Sequence, residues 1–98
     1  MMSDELADFF GATFHQDWKL EASSPEDAIE LFRQDANKEE LWRLAQRIET
    51  ELIGSQLSDD ELSDHLYSEF GSHYYAKGAG LFTREWLAKV VDQLRAVR

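Results

Sequence analysis

The chain has 98 residues, of which 43% are hydrophobic and 12% aromatic, which is enough for one folded core and too few for two. It contains no cysteine, which excludes disulfides, thiolate catalysis and cysteine-based zinc sites and favours a reducing, cytoplasmic compartment. Its formal net charge of −10 disfavours nucleic acid and anionic membranes as partners and favours a basic protein. We therefore expect residues 1–98 to form a single soluble domain.

The first predicted helix spans about residues 4–13 and is capped by Ser3. Its inward face consists of apolar side chains at helical spacing: Leu6, Phe9, Phe10 and Phe14. A second helix is predicted from Pro25 to about residue 36, because Ser24 offers a capping hydroxyl and proline suits the first helical position.

The third and fourth predicted helices have equally clear ends. Asn37 can cap the third helix, and Gly54 is a suitable residue to end it. The apolar stripe of this helix is Leu41, Leu44, Ala45, Ile48 and Leu52. Ser58 and Glu61 have the spacing of a capping box at the start of the fourth helix, and Gly71 is expected to end it.

The last predicted helix follows a loop that contains several glycines and tyrosines. Thr83 is expected to cap it, and Phe82 and Leu87 have the spacing of a hydrophobic staple. Its apolar face continues through Val90, Val91 and Leu94. These patterns together predict an all-α fold, a compact bundle of about five short helices without strands and with a radius of gyration of about 13 Å.

Histidine spacing and serine context give no sign of catalysis. The three histidines, His15, His65 and His73, lack the spacing of a zinc motif, so we predict no metal and no cofactor. No serine lies in a Gly-x-Ser-x-Gly turn. We therefore predict that the chain is not an enzyme; a small hydrolase that uses carboxylates and His15 is the weakest alternative.

Negative charge is concentrated in the middle of the chain. The stretch from Glu49 to Glu69 contains seven acids and no lysine or arginine, whereas residues 72–98 contain five basic residues against two acids. A concentrated acidic surface speeds association with a cationic partner, although solvated helix charges are the alternative explanation for any single acid.

Aromatic residues divide into core and surface candidates. We expect Trp18 and Trp86 in the core. Trp42 and Tyr67 each lie one position off the inward stripe of their helices, which makes them candidate anchors for a partner.

Three segments carry a resemblance to a known family. They are Phe14-His15-Gln16-Asp17-Trp18, Ser24-Pro25-Glu26-Asp27-Ala28 and Gly80-Leu81-Phe82-Thr83-Arg84-Glu85-Trp86-Leu87. In this order and spacing, from about Phe9 to Leu94, the chain resembles the small immunity proteins of contact-dependent growth inhibition systems. The resemblance implies a cytoplasmic antidote that binds the toxic C-terminal domain of a large exported effector. Many such toxin domains are nucleases, whose substrate clefts must be basic.

The segments behind the resemblance are those that a family would keep to preserve its fold, so toxin discrimination is expected elsewhere. The region from Lys38 to Gly71 shows no shared pattern. The predicted partner-binding residues are Asp59, Asp60, Glu61, Asp64, Tyr67 and Trp42, with Asp17 and Glu21 as weaker candidates. An acidic adaptor, or a nucleic-acid-mimicking regulator of another basic protein, is the alternative function, and the oligomeric state is left open.

Overall fold

Helices make up all of the regular secondary structure in the part of the chain that the computed structural model describes, residues 5–96. The α-helices are α1 (Glu5–Thr13), α2 (Trp18–Glu21), α3 (Pro25–Asp35), α4 (Lys38–Arg47), α5 (Asp59–Phe70) and α6 (Thr83–Arg95). A π-helical turn, Ile48–Ile53, continues α4, and a 3₁₀ turn, Ala76–Ala79, precedes α6. The predicted all-α class is confirmed, whereas the expected Ser3 cap lies outside the described residues.

Three of the predicted helix starts are confirmed by their caps. The side chain of Ser24 accepts a hydrogen bond of 3.1 Å from the N–H three residues on, and Asn37 does the same at 2.8 Å. Ser58 and Glu61 form a reciprocal capping box with hydrogen bonds of 2.9 and 3.1 Å. Each cap pairs N–H groups that a helix leaves unbonded in its first turn.

The structure has one α-helix more than the sequence predicted. The additional helix is α2, which has only four residues and therefore contains no repeat of apolar spacing by which it could be recognised. Its Trp18 is buried, as predicted, and so is Trp86 of α6.

Two glycines end helices for different reasons. Gly71 ends α5 with φ of +69°, a left-handed conformation that favours glycine. Gly54 ends the π-helical turn with φ of −79°, and its N–H donates to the carbonyl of Glu49 at 2.8 Å. A Cβ at Gly54 would lie 3.1 Å from the carbonyl oxygens of Glu49 and Thr50, so a larger residue would fit here only if this backbone shifted by a few tenths of an ångström.

The core is organised around α6. This helix contacts α3, α4, α5 and the π-helical turn, and its inward residues Leu87, Val90, Val91 and Leu94 are buried as predicted. Beside its start lies an aromatic cluster in which the Trp86 ring is 5.3 Å from Phe14 and 4.7 Å from Tyr74. The radius of gyration is 12.5 Å.

The start of α6 corrects two predictions. Phe82, not Thr83, is the N-cap residue, and no side chain within this helix caps it. Thr83 is instead the first helical residue and is buried. Phe82 is 62% exposed, so it does not close the helix start over buried Leu87 as a hydrophobic staple would.

Asp59 of α5 supplies the missing cap from another helix. Its carboxylate accepts hydrogen bonds from the N–H groups of Thr83 and Arg84 at 2.9 and 3.1 Å, and Lys77 Nζ lies 3.7 Å away. Burial alone would raise the pKa of Asp59, but hydrogen bonding from Thr83 and Arg84, together with the Lys77 charge, outweighs it and holds the pKa below its ordinary value. The contact joins the starts of α5 and α6.

Arg84 secures the same end of α6 to the exit of the π-helical turn. Its Nε donates to the carbonyl of Ile53 at 3.1 Å, and its Nη2 donates to the carbonyl of Ser55 at 2.7 Å. Arg84 thereby gives hydrogen-bond donors to two backbone carbonyls at the end of the turn, and partly buried carbonyls need such donors.

We predict that Asp59→Ala lowers the free energy of unfolding by about 1–2 kcal/mol, because two N–H groups at the start of α6 lose their acceptor. The melting temperature should fall by about 4–8 °C for each kcal/mol. The matched control is Asp64→Ala on the same helix, whose exposed carboxylate makes no ion pair in residues 5–96 and whose loss should change stability by less than about 0.5 kcal/mol. Equal effects of the two substitutions in urea denaturation would contradict the capping role.

The lowered pKa of Asp59 also predicts how stability changes with acidity. A carboxyl group whose pKa is lower in the folded protein than in the unfolded chain contributes its full stabilisation above its unfolded pKa, here 3.8. This stabilisation disappears as the pH falls through the pKa that Asp59 has in the folded protein. The stability difference between the natural protein and Asp59→Ala should therefore be constant at about pH 5–7 and shrink toward pH 2. If this stability difference grew on acidification, the pKa of Asp59 would be raised in the folded protein, not lowered.

Candidate partner-binding surface

Three predicted partner-binding residues share one exposed face of α5. Asp60, Asp64 and Tyr67 follow each other at intervals of four and three residues, which places them on the same side of a helix. The Asp60 side chain is 83% exposed, Tyr67 is 61% exposed, and Asp64 is exposed as well. We call these three residues the α5 ridge.

The two other α5 acids that were predicted to bind a partner are engaged within the fold. Asp59 is not the exposed acid that was expected, because its side chain is only 21% exposed and caps α6. Glu61 is exposed but closes the capping box, and the hydrogen bond from the Ser58 N–H lowers its pKa. Asp60 forms an ion pair with Lys77 at the surface. The ridge therefore presents the carboxylates of Asp60 and Asp64, with Glu61 beside them.

Aromatic residues extend the ridge onto the loop between α5 and α6. The rings of Tyr67 and His73 pack edge to face with a centroid distance of 5.1 Å. Tyr75 in the same loop and Phe82 at its end are both exposed. The sequence did not reveal Phe82 as a surface residue, because its place just before a helix is also the place of a staple residue.

A shallow cleft of about 350 Å³ lies beside this loop. His73, Tyr75, Trp18 and Lys19 line it, and the Lys19 ammonium lies 5.8 Å from the centroid of the Trp18 ring. Since His73 also contacts Tyr67, the α5 ridge and this cleft form one continuous surface.

Trp42 lies at the other end of the molecule. It is exposed, and the Arg95 guanidinium stacks 5.1 Å from the centroid of its ring while pairing with Glu49 at 2.6 Å. Arg95 ends α6, and Asp59 caps the start of the same helix. Thirteen residues of α-helix separate these ends by about 18 Å. The structure thus does not bring Trp42 together with the α5 ridge.

The weaker candidates, Asp17 and Glu21, are exposed and lie around α2. His15 connects them: its Nδ1 accepts a hydrogen bond of 3.1 Å from the N–H of Asp17, and its Nε2 lies 3.1 Å from a carboxylate oxygen of Glu21. Between the two acids in sequence is Trp18, which lines the cleft beside His73. Glu21 itself lines a different cleft, which Trp18 shares.

The histidines are dispersed over separate contacts: His15 with Glu21, His65 with Phe70, and His73 with Tyr67. Residues 5–96 contain no group of three histidine or carboxylate side chains placed to hold a metal ion. None of the helices in this range is long and apolar enough to cross a bilayer.

Comparison with known proteins identifies the family. No curated protein and no solved structure gives a significant match to the chain. One family model, described as CdiI immunity protein, matches residues 3–94 and so covers all three segments that carry the sequence resemblance. The chain belongs to the CdiI immunity protein family.

Proposed function

We propose that this protein binds and neutralises the toxic C-terminal domain of a contact-dependent growth inhibition effector in the cytoplasm of the cell that produces it. The observation that carries the proposal is the family match over residues 3–94. The same match favours an antidote over the alternative of an acidic adaptor or a nucleic-acid-mimicking regulator. We further propose that the toxin domain is a nuclease, because the protein's net charge of −10 complements the basic cleft that a nuclease needs.

The proposed toxin-binding surface consists of the α5 ridge, the exposed loop aromatics Tyr75 and Phe82, and Glu61. Two nearby cations are engaged within the fold, because Lys77 pairs with Asp59 and Asp60 and the Arg84 guanidinium binds backbone carbonyls. A third, Lys19, lies 5.8 Å from the centroid of the Trp18 ring. The exposed carboxylate of Asp64 has no such partner in residues 5–96. The surface can therefore meet a basic toxin with negative charge that the protein itself does not cancel.

Charge and aromatic surface would contribute differently to the complex. Carboxylates on the ridge steer the encounter and raise the association rate, an effect that salt screens. Exposed tyrosine and phenylalanine rings supply apolar contact area that slows dissociation. An acidic antidote of this kind covers the toxin in a one-to-one complex, with about 800 Å² buried on each partner, and competes with nucleic acid for the basic cleft.

We predict that the double substitution Asp60→Asn and Asp64→Lys slows association with the cognate toxin domain about tenfold at low salt. Asparagine is chosen at Asp60 because a lysine there would repel Lys77. The control, Glu39→Gln with Asp92→Lys, makes the same change of net charge at exposed positions outside the ridge. Surface plasmon resonance at several salt concentrations measures both rates. Equal slowing in the two variants would show that total charge, and not the ridge, steers binding.

Tyr67→Ala should mainly raise the dissociation rate, by about thirtyfold if the ring is a hot spot that contributes about 2 kcal/mol. Trp42→Ala is the matched test at the other end of α6, and we expect it to change the dissociation rate by less than about threefold. A larger effect at Trp42 than at Tyr67 would show that the toxin binds at the α4 end of the molecule and not at the α5 ridge.

A further inference from the structure

A second cleft, of about 210 Å³, lies between α2 and α3, and we call it the α2–α3 cleft. Its walls include the rings of Trp18 and Phe32 and the small side chain of Ala22. Glu21 and Asp35 also line it, so carboxylates accompany the apolar walls. Sites for drug-sized ligands usually measure about 300–1,000 Å³, so this cleft suits a single side chain better than a small-molecule ligand.

Negative charge lines the α2–α3 cleft, although one of its carboxylates, that of Glu21, also lies 3.1 Å from the Nε2 of His15. Both ionisable residues that line it are acids, and neither lysine nor arginine is among the described residues that form its walls. Arg33, on the same helix as Asp35, binds Glu30 and the carbonyl of Ala96. Asp35 makes no ion pair within residues 5–96. The cleft is therefore electrostatically complementary to a cation.

A further polar group, the hydroxyl of Thr13, belongs to a residue that lines the cleft. Thr13 lines it, is buried, and has a hydroxyl oxygen without a hydrogen-bond partner in residues 5–96. An ammonium or guanidinium group is a donor from which such an oxygen accepts. An apolar wall with acceptors around it is the environment that the alkyl stem and charged head of a long basic side chain require.

The surroundings of the cleft connect it with the proposed toxin-binding surface. Trp18 lines both this cleft and the one that contains His73 and Tyr75. Leu31 of α3, which also lines this cleft, is exposed, and Leu20 of the neighbouring α2 is 85% exposed. Exposed leucines next to an acid-lined cleft give a partner apolar area to cover around a charged anchor.

We propose that the α2–α3 cleft receives one lysine or arginine side chain of the toxin domain, with its stem between Trp18 and Phe32 and its cationic head at Glu21 and Asp35. This inference rests on the proposed function and adds a second, separate contact to it. A toxin that lacks the basic residue at this place would lose the contact, so the cleft contributes to the discrimination between toxins.

The test compares two variants of equal net charge against the cognate toxin domain. Glu21→Gln with Asp35→Asn removes both carboxylates of the cleft, and Glu39→Gln with Asp92→Asn removes two exposed acids elsewhere. We expect the dissociation rate to rise about tenfold in the first variant and less than about twofold in the second. Ala22→Leu fills the cleft without changing the net charge, and it should raise the dissociation rate as well.

The outcomes separate this inference from the proposed function. If the natural protein binds the toxin tightly and the cleft variants dissociate no faster than the control, the inference is overturned while the proposed function stands. If the natural protein does not bind the toxin domain, both fall together. A dimer of this chain that the cleft variants dissociate, seen by analytical ultracentrifugation, would mean that a second copy covers the cleft, and this too would overturn the inference.

Discussion

The position of the candidate surface depends on one contact between helices, the cap that Asp59 of α5 gives to the start of α6. α6 packs against most of the other helices, so the place where it begins determines how α5 and the loop before it are held. Arg84 reinforces the same end through the carbonyls of Ile53 and Ser55. An acidic stretch that looks uniform in sequence thus divides into a carboxylate that stabilises the fold and others that face solvent. Charge density alone could not have separated these roles.

Local signals explain why much of the fold was predictable. Caps at Ser24, Asn37 and Ser58 involve residues three positions apart, and the buried stripes follow helical spacing, so neighbouring residues determine both. The cap of α6 was missed because its acceptor lies 24 residues away in sequence, and no periodic pattern records such a contact. The sequence prediction placed the cap at Thr83 because that residue has the only hydroxyl close to the start of this helix in sequence.

The candidate surface was predictable only in part, for the same reason. Helical spacing places Asp60, Asp64 and Tyr67 on one side of α5 before any tertiary structure is known. Three other features depend on how separate helices pack, so helical spacing could not predict them. They are the exposure of Phe82, the distance of Trp42 from the ridge, and the cleft between α2 and α3. The segments that carry the family resemblance contribute core residues and caps, among them Phe14, Trp86 and Ser24, which agrees with a mainly structural role for them.

The α5 ridge and the adjoining loop form the surface that we propose covers the toxin domain. Hydrogen–deuterium exchange of the protein alone and in complex with its cognate toxin domain tests it most directly, because backbone amides buried by a partner exchange more slowly. We expect slower exchange in the complex across residues 60–82, with little change in the first turns of α4. Slower exchange confined to α4 and the end of α6, or none anywhere in the chain, would contradict it.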